Sequence, residues 1–186
     1  MKETLYRQLR VLAIDPHPRG FGYAVFEGPG TLVDWGTKDI RQDKERIALR
    51  KIEELVRLYL ATVIVVEDCA HRKSRRNPRV RQLAERILAA AREFAVEARA
   101  VPLTAVYRTF AGTGAGTKYG IAKALVRAFP ELLVRLPPKR KPWQTEDSRM
   151  SIFDAVALGL TYFRSLRRTG TARSPETRPR IADHHT

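Results

Sequence analysis

The apolar positions of this chain change period several times, and each change marks an element. Residues 9–14 are apolar except for Arg10 and end at Asp15, the pattern of a buried strand. The turn Pro16-His17-Pro18-Arg19-Gly20 follows, residues 22–26 read as a second strand, Gly28-Pro29-Gly30 as a tight turn, and residues 31–35 as a third strand. Strands joined by such short turns predict an antiparallel meander. Ile47, Ala48, Ile52, Leu55, Val56 and Tyr59 then recur at helical spacing, and residues 62–66 form an unbroken β-branched run that suits a strand buried on both faces. Val80, Leu83, Ala84, Ile87, Leu88, Ala91, Phe94, Ala95 and Ala98 make one stripe and predict a long helix. Residues 101–107 predict a fifth strand, residues 118–129 a third helix ending at Pro130, and residues 148–166 a last helix. The expected order is β-β-β-α-β-α-β-α-α: a mixed sheet of three antiparallel strands extended by parallel ones and flanked by helices.

Three segments lack a period. Gly112-Thr113-Gly114-Ala115-Gly116 reads as a flexible loop, residues 136–143 are proline-rich and basic, and residues 169–186 hold almost nothing that could join a core. One domain over residues 1–168 with a basic, disordered tail over 169–186 is therefore expected.

Charge narrows the partner. Of 186 residues, 35 are Lys or Arg and 20 are Asp or Glu, a net charge of +15, and such an excess suits a polyanion, nucleic acid first of all. The single cysteine, Cys69, excludes an intramolecular disulfide and a zinc site built on cysteines. The charged first residues and the lack of any run of ~18 apolar residues point to a cytoplasmic protein with no membrane partner.

The candidate chemistry is carboxylate chemistry. Asp15 closes the first strand, Glu67 closes the strand of residues 62–66, and Asp154 lies in the last helix. Sites in open sheets collect at the carboxyl ends of strands. If these two strands are neighbours, Asp15 and Glu67 converge, and a helix crossing that end adds Asp154. Carboxylates suit magnesium, which prefers hard oxygen ligands, and a two-metal site can stabilise the attacking and leaving oxygens of a phosphodiester displacement. Each acid also has a bland reading. Asp15 could be a turn former, and Asp154 lies off the Ile152, Val156, Gly159, Leu160 and Phe163 stripe and so could face solvent. Glu67 is harder to dismiss after Val63-Ile64-Val65-Val66.

At these residues the chain resembles the RuvC family of Holliday junction resolvases. Ile14-Asp15-Pro16, then five residues, then Gly22-Tyr23 is similar to the family's opening motif, with Arg19 where the family often has Arg. Val65-Val66-Glu67 is similar to its second acidic motif, and Asp154-Ala155-Val156-Ala157-Leu158 resembles its final helix. The resemblance covers residues 11–163. It implies a ribonuclease H-like fold, magnesium-dependent hydrolysis (manganese as the substitute ion), and a homodimer that cuts branched double-stranded DNA. It also implies that Asp15, Glu67 and Asp154 are catalytic metal ligands. The chain departs from the pattern in three places. His17 replaces a glycine, and Cys69-Ala70-His71 stands where the family has a junction-probing aromatic. Ser151 replaces an acid three residues before the last Asp, with Asp147 and Glu146 as nearby substitutes. Asp147 is the expected fourth ligand, with a helix N-cap as its bland role. On a regular helix Asp147, Ser151 and Asp154 would share one stripe.

Basic residues cluster after Glu67: Arg72, Lys73, Arg75, Arg76, Arg79 and Arg81 are expected to clamp backbone phosphates. Lys118 and Lys123 open the third helix, whose N-terminus also favours phosphate. The 112–116 loop lacks the Gly-Lys-Ser/Thr ending of a nucleotide loop. Lys139-Arg140-Lys141 with Trp143 could stack on a base or dock on the core. Three functions compete. The first is a structure-selective endonuclease. The second is a catalytically impaired nucleic-acid-binding relative, marked by Ser151. The third is an actin-like ATPase, which the chain is too short to duplicate.

Overall fold

A computed structural model describes residues 9–69 and 76–172, with side chains through 167. Strands β1 (Arg10–His17), β2 (Gly20–Glu27) and β3 (Leu32–Asp39) form the meander. Helix α1 (Lys44–Tyr59), strand β4 (Val63–Glu67), helix α2 (Pro78–Ala90) and strand β5 (Glu97–Val101) follow. Helices α3 (Leu103–Phe110), α4 (Lys118–Ala128) and α5 (Met150–Ala172) complete the chain, with short 3-10 turns at Ala111–Thr113 and Pro130–Arg135. The sheet order is β3-β2-β1-β4-β5. β1 pairs antiparallel with β2 and parallel with β4, and β4 pairs parallel with β5, so the expected mixed sheet is what the chain forms.

Strand alternation sorts the core into two layers. Val11, Ala13, Ala24, Phe26, Val63 and Val65 face one way and pack with Val156, Phe153 and Phe163 of α5 and Ile121 and Leu125 of α4. Leu12, Ile14, Phe21, Val25, Ile64 and Val66 face the other way, against Ile52 and Val56 of α1 and Leu83 and Ile87 of α2. Each central strand is covered on both faces, which is why residues 62–66 read as a continuous apolar run.

Two expectations need correction. The long apolar stripe is not one helix. α2 ends at Ala90, and residues 91–95 form a turn with Ala95 in the left-handed region (φ 57°). Glu97 then donates its backbone N–H to Thr62 O at 3.0 Å and starts β5. β5 leaves no apolar run in the sequence because it is an edge strand, with Glu97, Arg99 and Ala100 exposed. Residues 101–107, expected as a strand, instead lie at the end of β5 and in α3. Pro102 has no N–H for a sheet, and its carbonyl accepts from Ala105 N at 2.8 Å, opening the helix. α5 also runs beyond residue 166, crossing the boundary expected at 168. The remainder of the expected tail, 173–186, lies outside the described residues. Among the described residues no helix is long and apolar enough to cross a membrane.

Candidate active site

The site lies at the carboxyl edge of the central strands. β1 and β4 run parallel with Ala13 opposite Val65 and Ile14 opposite Val66, so Asp15 and Glu67 follow on the next row. Both have the parity of Ala13 and Val65, and both point to the layer that holds α5. They are buried at 2% and 4% exposure. Asp154 sits near the start of α5, its side chain 19% exposed.

α5 reaches this edge because two glycines let it lie on β2. A Cβ on Gly22 would stand 2.4 Å from the backbone and hydroxyl of Ser151, and a Cβ on Gly159 would stand 2.4 Å from the Phe26 ring. Gly22 is the cross-strand partner of Asp15, so the same contact sets the helix beside that carboxylate.

Two side-chain cations hold the three acids. Arg76 Nη2 donates to Asp15 Oδ1 at 2.7 Å and also bonds Glu67 Oε2, while Arg76 Nε donates to the same Glu67 oxygen at 3.0 Å. Lys118 Nζ donates to Asp154 Oδ2 at 2.8 Å and to Glu146 Oε1 at 3.1 Å. Lys118 is the first residue of α4, and the Thr117 side chain caps that helix by accepting from Gly120 N at 3.0 Å.

The electrostatics follow from burial. Desolvation pushes the Asp15 carboxyl up to about 8; Arg76 and Lys118 pull against it, while Asp154 and Glu67 add to it. Asp154 is also raised, by burial first, with Lys118 opposing. Burial lowers the Lys118 ammonium and the Arg76 guanidinium, but the adjacent carboxylates outweigh it and both shift upward. Burial likewise lowers His17, with Asp39 opposing. Its Nε2 is buried without a hydrogen bond among the described residues, 3.9 Å from Asp39 Oδ1.

The regular helix expected to put Asp147 on one stripe with Ser151 and Asp154 does not extend back to Asp147. α5 starts only at Met150, and Asp147 precedes it. Its carboxylate accepts from the Arg149 backbone N–H at 2.9 Å and from Arg149 Nη2 at 2.7 Å. The Arg149 bonds hold its pKa low. Ser151 is buried at 4% exposure, and its hydroxyl donates to Ser148 O at 2.6 Å.

Of the expected phosphate-binding residues, Arg72, Lys73 and Arg75 lie outside the described residues. Arg79 is exposed in the first turn of α2 and Arg81 is half-buried two residues on. Lys123 is exposed on α4, its Nζ 5.8 Å from the Tyr119 ring centroid. It lines a cavity of about 290 Å³ with Thr117, Arg127 and Lys139. Trp143 is exposed, with Lys141 Nζ 5.5 Å from its ring. Sequence reasoning marks Arg76 and Lys118 as phosphate ligands alone. It misses their bonds to the acids, because the paired residues stand 9, 36 and 61 positions apart. Glu146, a substitute acid by sequence, is the second anchor of Lys118.

Among the described residues no three acidic, His or Cys side chains already surround one ion-sized point. The donor set nevertheless fits a hard divalent cation. Asp15 and Glu67 each place an oxygen within hydrogen-bonding reach of the one Arg76 Nη2 atom, and carboxylate oxygens are the ligands magnesium prefers.

The mixed β3-β2-β1-β4-β5 sheet, with acids at the carboxyl edge and helices on both faces, is a ribonuclease H-like α/β fold. More particularly, it is RuvC-like. The Thermus thermophilus RuvC structure is 22% identical and superposes with a TM-score of 0.59 over 88% of this chain and 98% of that one. T. thermophilus RuvC in complex with Holliday junction substrate is 21% identical, with a TM-score of 0.61 over 88% of this chain and 97% of that one. No family model and no curated protein sequence matches the chain.

Proposed function

We propose that this chain is a metal-dependent endonuclease that hydrolyses phosphodiester bonds in branched double-stranded DNA, with four-way junctions as the leading substrate. The observation that carries the reading is the convergence of Asp15, Glu67 and Asp154, from two strands and a helix, on one buried edge rich in cations. The structural neighbour in complex with a Holliday junction supports the substrate class. Magnesium, or manganese, held by Asp15, Glu67 and Asp154 would offset the charge that develops on the scissile phosphate and activate water.

The chain's own residues do the rest. Arg76 holds the two sheet carboxylates, and its planar guanidinium fork is of the kind that suits a substrate phosphate. Arg79, Arg81 and Lys123, with Arg72, Lys73 and Arg75 of the segment before α2, neutralise phosphates on either side and set the position of the duplex. A homodimer would present two such edges to the two symmetric strands of a junction. The DNA substrate and the charge of the chain fit a cytoplasmic protein.

Ser151, which supplies no carboxylate at this position, favours a second reading, a DNA-binding relative with an impaired site. One experiment separates them: incubation of the chain with a panel of branched and linear DNAs in magnesium. Cleavage of branched forms that is lost in Asp15→Asn and Asp154→Asn, with binding intact or tighter in both, supports the nuclease. Binding without cleavage supports the second reading. Cutting at the wild-type rate by either variant would falsify the assignment of these acids.

A further inference from the structure

The loop between the Pro130–Arg135 turn and α5 has no part yet in the cutting of DNA. We propose that Trp143, on this loop, is a base-stacking residue that selects DNA carrying an unpaired base beside the phosphate to be cut. The inference rests on the DNA-cutting reading above and deepens it by naming the feature of the branch that is recognised.

The sequence leaves two roles for this tryptophan, docking on the core or stacking on a base, and its surroundings decide between them. Trp143 is 78% exposed, whereas the other tryptophan, Trp35, packs against the core. An indole carries a large apolar surface that is ordinarily buried, so one held in water calls for a ligand. The local structure holds it there. Residues 141–144 form a turn closed by two hydrogen bonds, from Gln144 N–H to Lys141 O and from Lys141 N–H to Gln144 Oε1, both at 3.0 Å. Pro142 stands at the second position of that turn, where its fixed φ is already the one required, and Trp143 stands at the third. Pro137 and Pro138 stiffen the approach. A ring on such a turn has little conformational freedom left to lose when a ligand covers it.

Both ends of the loop are tied to α4. Lys139 lines the cavity that Thr117, Lys123 and Arg127 also line. Glu146 Oε1 accepts from Lys118 Nζ at 3.1 Å, and the same ammonium donates to Asp154 Oδ2 at 2.8 Å. Trp143 is three residues from Glu146, so their Cα atoms are at most ~11 Å apart. A DNA strand advances ~3.4 Å per nucleotide, so the ring stands a few nucleotides from a phosphate at the carboxylates. Residues 139–144 hold three cations and no acid: Lys139, Arg140 and Lys141. Lys141 Nζ lies 5.5 Å from the Trp143 ring centroid. Cations for the backbone and an aromatic face for the base are the pair of contacts by which proteins grip unpaired strands. In a regular duplex each base is already stacked and paired, and drawing one out costs least where the pairing is imperfect. The ring therefore adds affinity at a branch that it does not add on linear duplex.

Fluorescence of the intact chain tests this. In a Trp35→Phe background Trp143 is the only tryptophan. Its emission is followed without divalent metal while a four-way junction, or a linear duplex of the same sequence, is added. The junction should quench it, and the duplex should not. Trp143→Ala should lower the ratio of junction to duplex affinity ~10-fold, and Trp143→Phe, which keeps a stacking ring, should lower it less. An unchanged ratio in Trp143→Ala, or equal losses on the two DNAs, overturns the inference and leaves the DNA-cutting reading standing. So does an emission that shifts with protein concentration in the absence of DNA, which would mark the ring as a contact between copies. A wild-type chain that binds no DNA overturns both. Melting temperatures should not move in either variant, since the ring is exposed; a drop in Trp143→Ala would overturn the inference by showing that the ring packs on the protein.

Discussion

Asp15 is the residue whose environment most exceeds what its own chemistry tolerates. An ordinary aspartate loses its proton near 3.8, but burial moves this one to about 8 despite the Arg76 and Lys118 charges beside it. The folded chain therefore holds a proton there that the unfolded chain has released, and stability contributed at low pH is lost as pH rises from about 4 through about 8. Asp154, raised for the same first reason, acts in the same direction. Asp15→Asn has no such proton to lose. Its melting temperature, measured without metal, should exceed wild type at pH 9 and converge with it near pH 4, by roughly 2–4 °C per kcal/mol for a chain of this size. Equal pH dependence in both would contradict the burial argument. Arg76→Ala makes a second prediction at this scale. Removing the cation that competes for Asp15 and Glu67 should tighten manganese binding, by ~10-fold if the displaced ion pair contributes about 1.4 kcal/mol. Weaker binding would mean that Arg76 assembles the ligands rather than competing for them.

At the scale of elements, the site depends on how closely α5 lies on β2. Gly22→Ala puts a methyl 2.4 Å from the Ser151 backbone, and backbone cannot swing aside as a side-chain tip can. The helix must lift, at a cost of ~1–3 kcal/mol by analogy with overpacked cores, and Asp154 moves with it. The expected result is a lower melting temperature together with loss of cleavage. Gly159→Ala meets the Phe26 ring, itself packed edge-on against Phe129 and Phe163. It should lower stability, with a smaller effect on cleavage because the strain falls over a turn of helix beyond Asp154. Comparing melting curves and cleavage rates of the two variants checks this; an active, stable Gly22→Ala would show that the helix docks elsewhere.

At the scale of the whole molecule, the net charge of +15 should make DNA affinity steeply salt-dependent. Neutralising Arg79, Arg81 and Lys123 together should flatten the slope of log K against log salt, by up to ~0.9 for each duplex phosphate that no longer has a cationic partner. The slope is measured by titrating labelled junction DNA across a salt series, and an unchanged slope would move the binding surface away from α2 and α4.

How much of this is legible in the chain follows from where each signal resides. The meander, the β-branched strand before Glu67, the helix from Lys118 and the last helix are readable because period and turn chemistry are local, and their burial leaves them strongly patterned. β5 and α3 are not readable: an exposed edge strand carries no apolar run, and Phe94 and Ala98 fall in helical phase by coincidence. The three acids stand out by their places at strand ends and in the helix. The sequence by itself determined which carboxylates are available, that strand parity points Asp15 and Glu67 the same way if β1 and β4 are neighbours, and that glycine stands at positions 22 and 159. Only the tertiary structure decided that those strands are neighbours, that α5 lies near enough for Asp154 to join them, and that Asp147 pairs with Arg149. It alone brought Arg76 and Lys118 onto the acids. Ion pairing acts through space, at distances of a few ångströms, between residues up to 61 positions apart, and no period along the chain records it.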